Sequence, residues 1–244
     1  MPHNSVIAKL ATIGDLHEAD VEQLVALCQD VRTIAAKRDI LTEGERPDHV
    51  HVIIEGWAAR YKTLASGSRQ IVALLIPGDF CDLHVAALEQ HMDHAIVPLS
   101  RCRVAYIPNA GLDVLTAGHN GLTRALWWAT LVDESVLREW VLNVGRRDAY
   151  QRISHLLCEM HARMQMVGLV EDGRLAFPLT QEELADATAL TAVHTNRTLR
   201  RLREDGLIEI GSGMLTVLDV ERLRKAAGFD PGYLHIRRRV PLQP

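Results

Sequence analysis

Residues 180–203 read TQEELADATALTAVHTNRTLRRLR, and this stretch decides how the rest of the chain is read. Thr180 followed by Glu183 has the spacing of a capping box, in which hydroxyl and carboxylate satisfy each other's backbone donors at a helix start. A helix through Leu184, Ala185 and Ala187 is expected to break at Thr188-Ala189-Leu190. Thr191 can cap a second helix, Ala192–Arg203. Two short helices with a tight turn have the spacing of a helix-turn-helix. Leu184, Ala185, Leu190, Val193, Leu199 and Leu202 are the expected contacts between them. Downstream, EDGLIEI and MLTVL flank GSG, which predicts a β-hairpin wing.

The second helix presents His194, Asn196, Arg197, Arg200 and Arg201. Arginine bonds guanine and asparagine bonds adenine bidentately in the major groove. Arg197, Asn196 and His194 are therefore expected to read bases, with Ala192 and Val193 entering the groove at the helix start. Thr180, Gln181, Thr191, Arg200 and Arg201 are expected on phosphates. The bland alternative is a helical hairpin with a solvated basic face; cap, turn, basic helix and wing together favour DNA. The overall net charge of −4 weighs weakly against this, but it resides in residues 1–147, because 148–244 balance 13 basic against 13 acidic residues. Arg197, Arg200, Arg201 and Arg203 share one acid-free segment, and a local stripe governs phosphate contact more than the global sum.

Working outward, 148–166 (DAYQRISHLLCEMHARMQM) predicts a helix with Ile153, Leu156, Leu157 and Met160 on one face, followed by GLVEDGRLAFPLT as strand or loop. Residues 121–145 predict a long amphipathic helix in which Leu122, Leu126, Ala129, Val136, Trp140 and Val144 recur at three- and four-residue steps. Periodicity alone leaves two fates open for that stripe: packing on its own domain, or pairing with a second copy. From 31 to 108 short β-branched runs alternate with Gly, Pro and Asp, predicting an antiparallel β-roll or sandwich. Residues 15–30 predict a short helix on Leu16, Val21, Leu24, Val25 and Cys28. The fold class is α+β. The expected units are a β domain at 1–120, a long helix at 121–147, a winged helix-turn-helix at 148–225 and a tail at 226–244, the first two read below, through a resemblance, as sensor and dimerisation helix.

With 48% hydrophobic and 24% charged residues the composition is that of an ordinary globular protein, which excludes disorder. No apolar run reaches the roughly 18 residues that span a bilayer. The start, Met1-Pro2-His3-Asn4, lacks a basic segment before an apolar one, so the expected location is cytoplasmic with no membrane partner. Cysteines at 28, 81, 102 and 158 form no CxxC pair and are expected to be reduced and packed. There is no phosphate-binding Gly-rich loop, GxSxG or HExxH, so the expectation is that the chain is not an enzyme.

Taken together the chain resembles the Crp/Fnr superfamily of bacterial transcription regulators over roughly residues 15–225. The matching residues are Gly44-Glu45, IIEGWAARYK at 53–62, Gly67, PGDF at 77–80, LTQEELADATALT and HTNRTLRRLREDGLI. The resemblance implies a cyclic-nucleotide-binding-like β-roll (jelly roll), a dimerisation helix and a winged helix-turn-helix. It tips 121–145 toward homodimer pairing. It also implies a pseudo-palindromic double-stranded DNA site, contact with RNA polymerase and an unidentified small-molecule effector. In cyclic-AMP-binding members PGDF leads into Gly-Glu-Leu and a later Arg-Ser holds the phosphate. Here those places read Cys81-Asp82-Leu83-His84 and Met92-Asp93-His94-Ala95. Aspartate where arginine is expected repels a phosphate, which argues against cyclic AMP. Cys28 stands alone near the N-terminus, which argues against an iron–sulfur centre. Early helix positions Ala192, Val193 and His194 also depart from the Glu and Ser or Arg of many members, so the operator sequence is left open.

Asp82, Leu83, His84 and His94 are the expected effector-pocket residues. His84, His91 and His94, with Cys81 near, could bind haem iron or a metal; the blander expectation is loop histidines and no metal. A ligand-, haem- or metal-sensing module with weak or vestigial DNA binding is the alternative function. Trp127 or Trp128 could line the pocket or pack beneath the roll. Cys158 reads as a buried thiol before a redox switch. His49 and His51 share a strand face, and the basic tail 236–239 reads as solvated.

Overall fold

The computed structural model describes residues 4–14, 16–88, 90–112 and 120–236; the basic tail beyond Ile236 lies outside them. Six strands of the N-terminal half form two antiparallel three-stranded sheets. These are β1 (Val31–Ile34), β2 (His49–Glu55), β3 (Ala58–Thr63), β4 (Arg69–Leu75), β5 (Ala95–Pro98) and β6 (Cys102–Pro108), in the orders β1-β6-β2 and β4-β3-β5. Strand β2 is buried on both faces, and its period-2 alternation sorts its side chains. Ile53 points into the roll against Leu75, Ile96 and Val104. Val50, Val52 and Ile54 point the other way, onto helices.

Those helices are α1 (Asn4–Ile13), α2 (Glu18–Leu27) and the long α4 (Asn120–Arg146); α3 (Leu83–Leu88) lies beside β2. Helix α1 was not anticipated, although Val6 and Leu10 fall at helical spacing and are fully buried. It approaches the PGDF turn so closely that a Cβ on Gly78 (φ 98°) would lie 2.7 Å from the Ser5 carbonyl oxygen.

The long helix corrects the dimerisation expectation. Leu122, Leu126 and Ala129 pack into the chain's own cluster with α1 and β2. Val136 and Trp140 join the cluster centred on the C-terminal half, and Val144 is half-buried. Burying a leucine yields about 2 kcal/mol, so this stripe is satisfied without a partner. The helix is apolar on a second face: Trp127, Leu131, Leu137, Val141 and Leu142 are exposed. Trp128 packs against the roll's helical cluster, while Trp127 is 72% exposed.

The C-terminal half comprises α5 (Ala149–Met166), β7 (Arg174–Ala176), α6 (Gln181–Thr188), α7 (Ala192–Glu204), β8 (Ile208–Gly211), β9 (Met214–Val217), α8 (Val220–Ala227) and a 3-10 turn (Pro231–Leu234). The wing is a β7-β9-β8 sheet. Ser212 and Gly213 both have positive φ (52° and 73°) in its hairpin turn, which fits the right-handed twist of the flanking strands.

Buried charges tie the two halves together. Asp79 of the PGDF turn accepts from Lys9 Nζ (2.6 Å), Arg163 Nη2 (2.6 Å) and the Ile76 amide (2.8 Å). Arg163 also donates to the Leu74 carbonyl (3.0 Å) and to Glu159 Oε1 (3.1 Å). Glu159 is fully buried and accepts from Trp140 Nε1 (3.0 Å) and the Tyr233 hydroxyl (2.9 Å). Burial pushes the Asp79 carboxyl up, but Lys9 and Arg163 outweigh it and hold it below the usual range. At Glu159 burial prevails and the carboxyl is raised. Nearer the surface, Arg69 Nη2 pairs with Asp186 Oδ2 at 2.8 Å and Gln70 Nε2 donates to the Asp186 carbonyl at 2.5 Å, fastening β4 to α6.

Candidate nucleic-acid interface and effector cavity

The local sequence sets each helix end of the 180–203 segment. Thr180 is the N-cap of α6: its hydroxyl accepts from the Glu183 amide (3.2 Å), and Glu183 Oε2 accepts from the Thr180 amide (2.8 Å). Ala189 closes the helix in the left-handed region (φ 51°). Arg152 Nη1 donates to the Thr188 carbonyl at 2.8 Å and to that of Ala189 at 3.3 Å, placing a cation where the helix dipole favours one. The Thr191 hydroxyl accepts from the His194 amide (3.2 Å) and starts α7.

Leu184, Ala185, Leu199 and Leu202 are buried as expected, and Leu190 is half-buried. Val193 is a correction: it is 78% exposed, and the inner face of α7 is filled by Thr195 and Thr198. The outer face carries Ala192, Val193, His194, Asn196, Arg197, Arg200 and Arg201, all exposed. Asn196 Nδ2 donates to Gln181 Oε1 at 2.9 Å, joining the faces of both helices. Arg200 pairs with Glu204 (2.8 Å). Arg201 lies over the Tyr150 ring, 4.5 Å from its centroid, and its Nε is 3.9 Å from Asp205. Sequence reasoning missed Arg152 and Tyr150, which act across 36 and 51 residues of chain. Among the described residues, Arg197 has no side-chain ion pair or hydrogen bond.

Residues 31–119 match the family described as cyclic nucleotide-binding domain, and residues 151–226 that of the Crp-like helix-turn-helix domain. The chain is 32% identical over 217 residues to the transcriptional activator protein FnrL of Cereibacter sphaeroides, covering 86% of each chain. It belongs to the Crp/Fnr family of transcription regulators. The transcriptional activatory protein AadR of Rhodopseudomonas palustris is 29% identical over 220 residues, 87% of each chain. The structure of FixK2 from Bradyrhizobium japonicum superposes with a TM-score of 0.70 at 23% identity, covering 80% of this chain and 96% of that one, and shares the fold. This Crp/Fnr chain is a DNA-binding transcription regulator. No helix among its described residues is long and apolar enough to cross a membrane.

A cavity of about 450 Å³ opens between the roll and α4 of the regulator. Leu83, His84 and His94, three of the four residues expected at an effector pocket, line it. Asp82 does not: it is fully buried, with Oδ1 accepting from the His51 amide (2.8 Å) and Oδ2 paired to His51 Nδ1 (2.7 Å). His49 and His51 both set their rings against Tyr106. Sequence reasoning missed Arg60, which donates to the carbonyls of Cys81 (3.0 Å) and Phe80 (2.9 Å) and to Asp133 Oδ2 (3.0 Å). The cavity's other cations, Lys9 and Arg163, are held by Asp79, and Lys62 donates to the Asp93 carbonyl. His94 Nδ1 bonds Asp93 Oδ1 at 2.7 Å. Burial, then Arg60, lowers the pKa of His84; burial also lowers that of His94, against the opposing bond from Asp93. All four thiols are buried: burial raises Cys28 and Cys158 to about 12 and Cys102 to about 11, and drives Cys81 well above its usual value.

Proposed function

We propose that this regulator binds a pseudo-palindromic promoter site as a homodimer, with α7 in the major groove. Arg197, Asn196 and His194 read base edges, and Val193 meets a thymine methyl. Thr180, Gln181, Thr191, Arg200 and Arg201 hold phosphates, with Ala192 small enough to admit the backbone. The observation that carries the reading is the exposed, unpaired Arg197 guanidinium on a doubly capped helix pair. The chain works in the cytoplasm without catalysis, as sensor (1–120), connecting helix (121–147) and reading unit (148–225), and meets RNA polymerase at the promoter.

The dimer seam differs from the one expected in sequence. Trp127, Thr130, Glu134, Leu137, Val141 and Val144 alternate at steps of three and four, and the first five are exposed. That is the spacing of a two-stranded coiled coil. Thr130, Glu134 and Leu137 also line the cavity, so an occupant of it touches the seam. Cyclic AMP is not that occupant: Arg60 is committed to two carbonyls and Asp133, and Asp93 lies at the mouth, leaving a phosphodiester poorly matched.

The test is a gel-shift on a selected palindromic site across a salt series. Arg197→Ala is expected to lose about 1–3 kcal/mol, mostly as discrimination at one base pair, while Arg201→Ala weakens all sequences alike and lowers the salt slope. Unchanged selectivity in Arg197→Ala overturns the groove assignment.

A further inference from the structure

The geometry points to a divalent transition-metal site of the zinc type on the cavity wall, built from His84, Asp93 and His94. One ligand atom from each residue lies within 4.8 Å of the other two. His94 is 6% exposed, its Nε2 is buried without a hydrogen-bond partner, and it lines the cavity. A buried polar atom left unsatisfied costs free energy, and an ion in the cavity satisfies it. Without an ion His94 Nδ1 bonds Asp93 Oδ1 at 2.7 Å, and that contact opens when Asp93 turns to ligate the ion beside Nε2. The His84 and His94 rings lie 15° from parallel with centroids 5.7 Å apart, side by side on the cavity wall.

Two imidazoles and a carboxylate suit zinc-like ions. Tetrahedral bonds near 2.0–2.1 Å bring ligand atoms to about 3.4 Å of one another, so closure takes roughly an ångström of side-chain rotation. The local field tolerates a cation: Arg60 is offset by Asp133, Lys9 and Arg163 by Asp79 and Glu159, Lys62 by Glu43, and Glu134 faces the same space. Three protein donors leave a coordination position for water or a small ligand, at a wall shared with α4. The metal site stands on its own geometry; its role in controlling DNA rests on the reading of this cavity as the sensor.

Untagged full-length protein, stripped with chelator, is titrated with Co²⁺ (visible absorption) and Zn²⁺ (calorimetry). The expected result is one high-affinity equivalent per chain. Affinity is expected to fall by at least about 100-fold, beyond the loss typical of a merely supporting residue, in each of Asp93→Asn, His84→Ala and His94→Gln. His91→Ala, a nearby exposed histidine, is expected to leave it unchanged. Retained operator binding in chelator shows that each variant is folded. No specific equivalent, or binding that survives both histidine substitutions, overturns the site. Metal binding lost in the variants while operator affinity ignores metal upholds the site and overturns its part in sensing.

Discussion

Replacing Arg163 with methionine isolates the charge cluster that ties the roll to the C-terminal half. Methionine keeps most of the volume and removes the guanidinium. Asp79 retains Lys9 at 2.6 Å, but Glu159 loses its one charged partner among the described residues and keeps the Trp140 and Tyr233 donors. Both carboxylates are at most 2% exposed, so water cannot substitute. Breaking a buried pair from one side costs about 3–5 kcal/mol. Glu159, already raised by burial, can retreat to its neutral form, which places the loss near the lower end. With a urea slope of about 2–3 kcal/mol per molar the midpoint drops by about 1–1.5 M. The sign with pH follows from linkage. A carboxyl whose folded pKa exceeds its unfolded value makes the native state bind the extra proton, so the variant's deficit grows as pH rises above the unfolded carboxylate range. Glu159→Gln in the Arg163→Met background is expected to recover part of the loss and flatten that pH dependence. Urea melts of the four proteins of this cycle at pH 5.5 and 8 are the assay. A midpoint shift below about 0.3 M for Arg163→Met, or a double variant no more stable than the single, refutes the reasoning.

Val141→Glu places a charge on the exposed seam of α4 without disturbing the monomer core. Light scattering is expected to show half the wild-type mass with thermal stability otherwise near normal; an unchanged mass rejects the seam. His155 is 1% exposed against Phe229 and Tyr233, and burial followed by Arg147 pushes it down to about 3, although Glu139 Oε1 lies 3.2 Å from its Nε2. The unfolded chain protonates it near 6.5 and the folded chain does not, so stability falls as pH drops below 6.5, by about 1.4 kcal/mol per unit from this group. His155→Phe is expected to be less acid-sensitive between pH 7 and 5, and identical slopes dispose of the claim. Thr180→Ala removes the cap of α6 and is expected to cost about 1 kcal/mol; melts that match wild type count against it.

The reading unit was legible because its signals are local. Thr180 and Glu183, Thr191, and the glycine-turned wing each declare a helix end or hairpin within a few residues. The proposed seam was not, because α4 is apolar on two faces. Periodicity found Leu122, Leu126, Ala129, Val136 and Trp140, and nothing in it says that α1, β2 and α5 already cover them. Asp82 looked like a pocket residue by its place after PGDF, but burial turned it onto His51. The Lys9–Asp79–Arg163–Glu159 cluster joins residues 70 and 84 positions apart, beyond any local pattern. Its one trace in sequence was Glu159 and Arg163 four residues apart on an otherwise apolar face of α5.

The clasp between Arg69, Gln70 and Asp186 bears on how such proteins diversify. A hairpin tip that grips the first of the paired helices makes the reading head something other than an interchangeable cassette. If residues 148–225 are the reading unit proposed above, grafting them onto a relative's roll is expected to swap the operator preference but to leave Asp186 without its partners unless the recipient's hairpin offers matching donors. Successful hybrids therefore carry the β3–β4 tip along with the head, and the two segments are expected to drift together through descent.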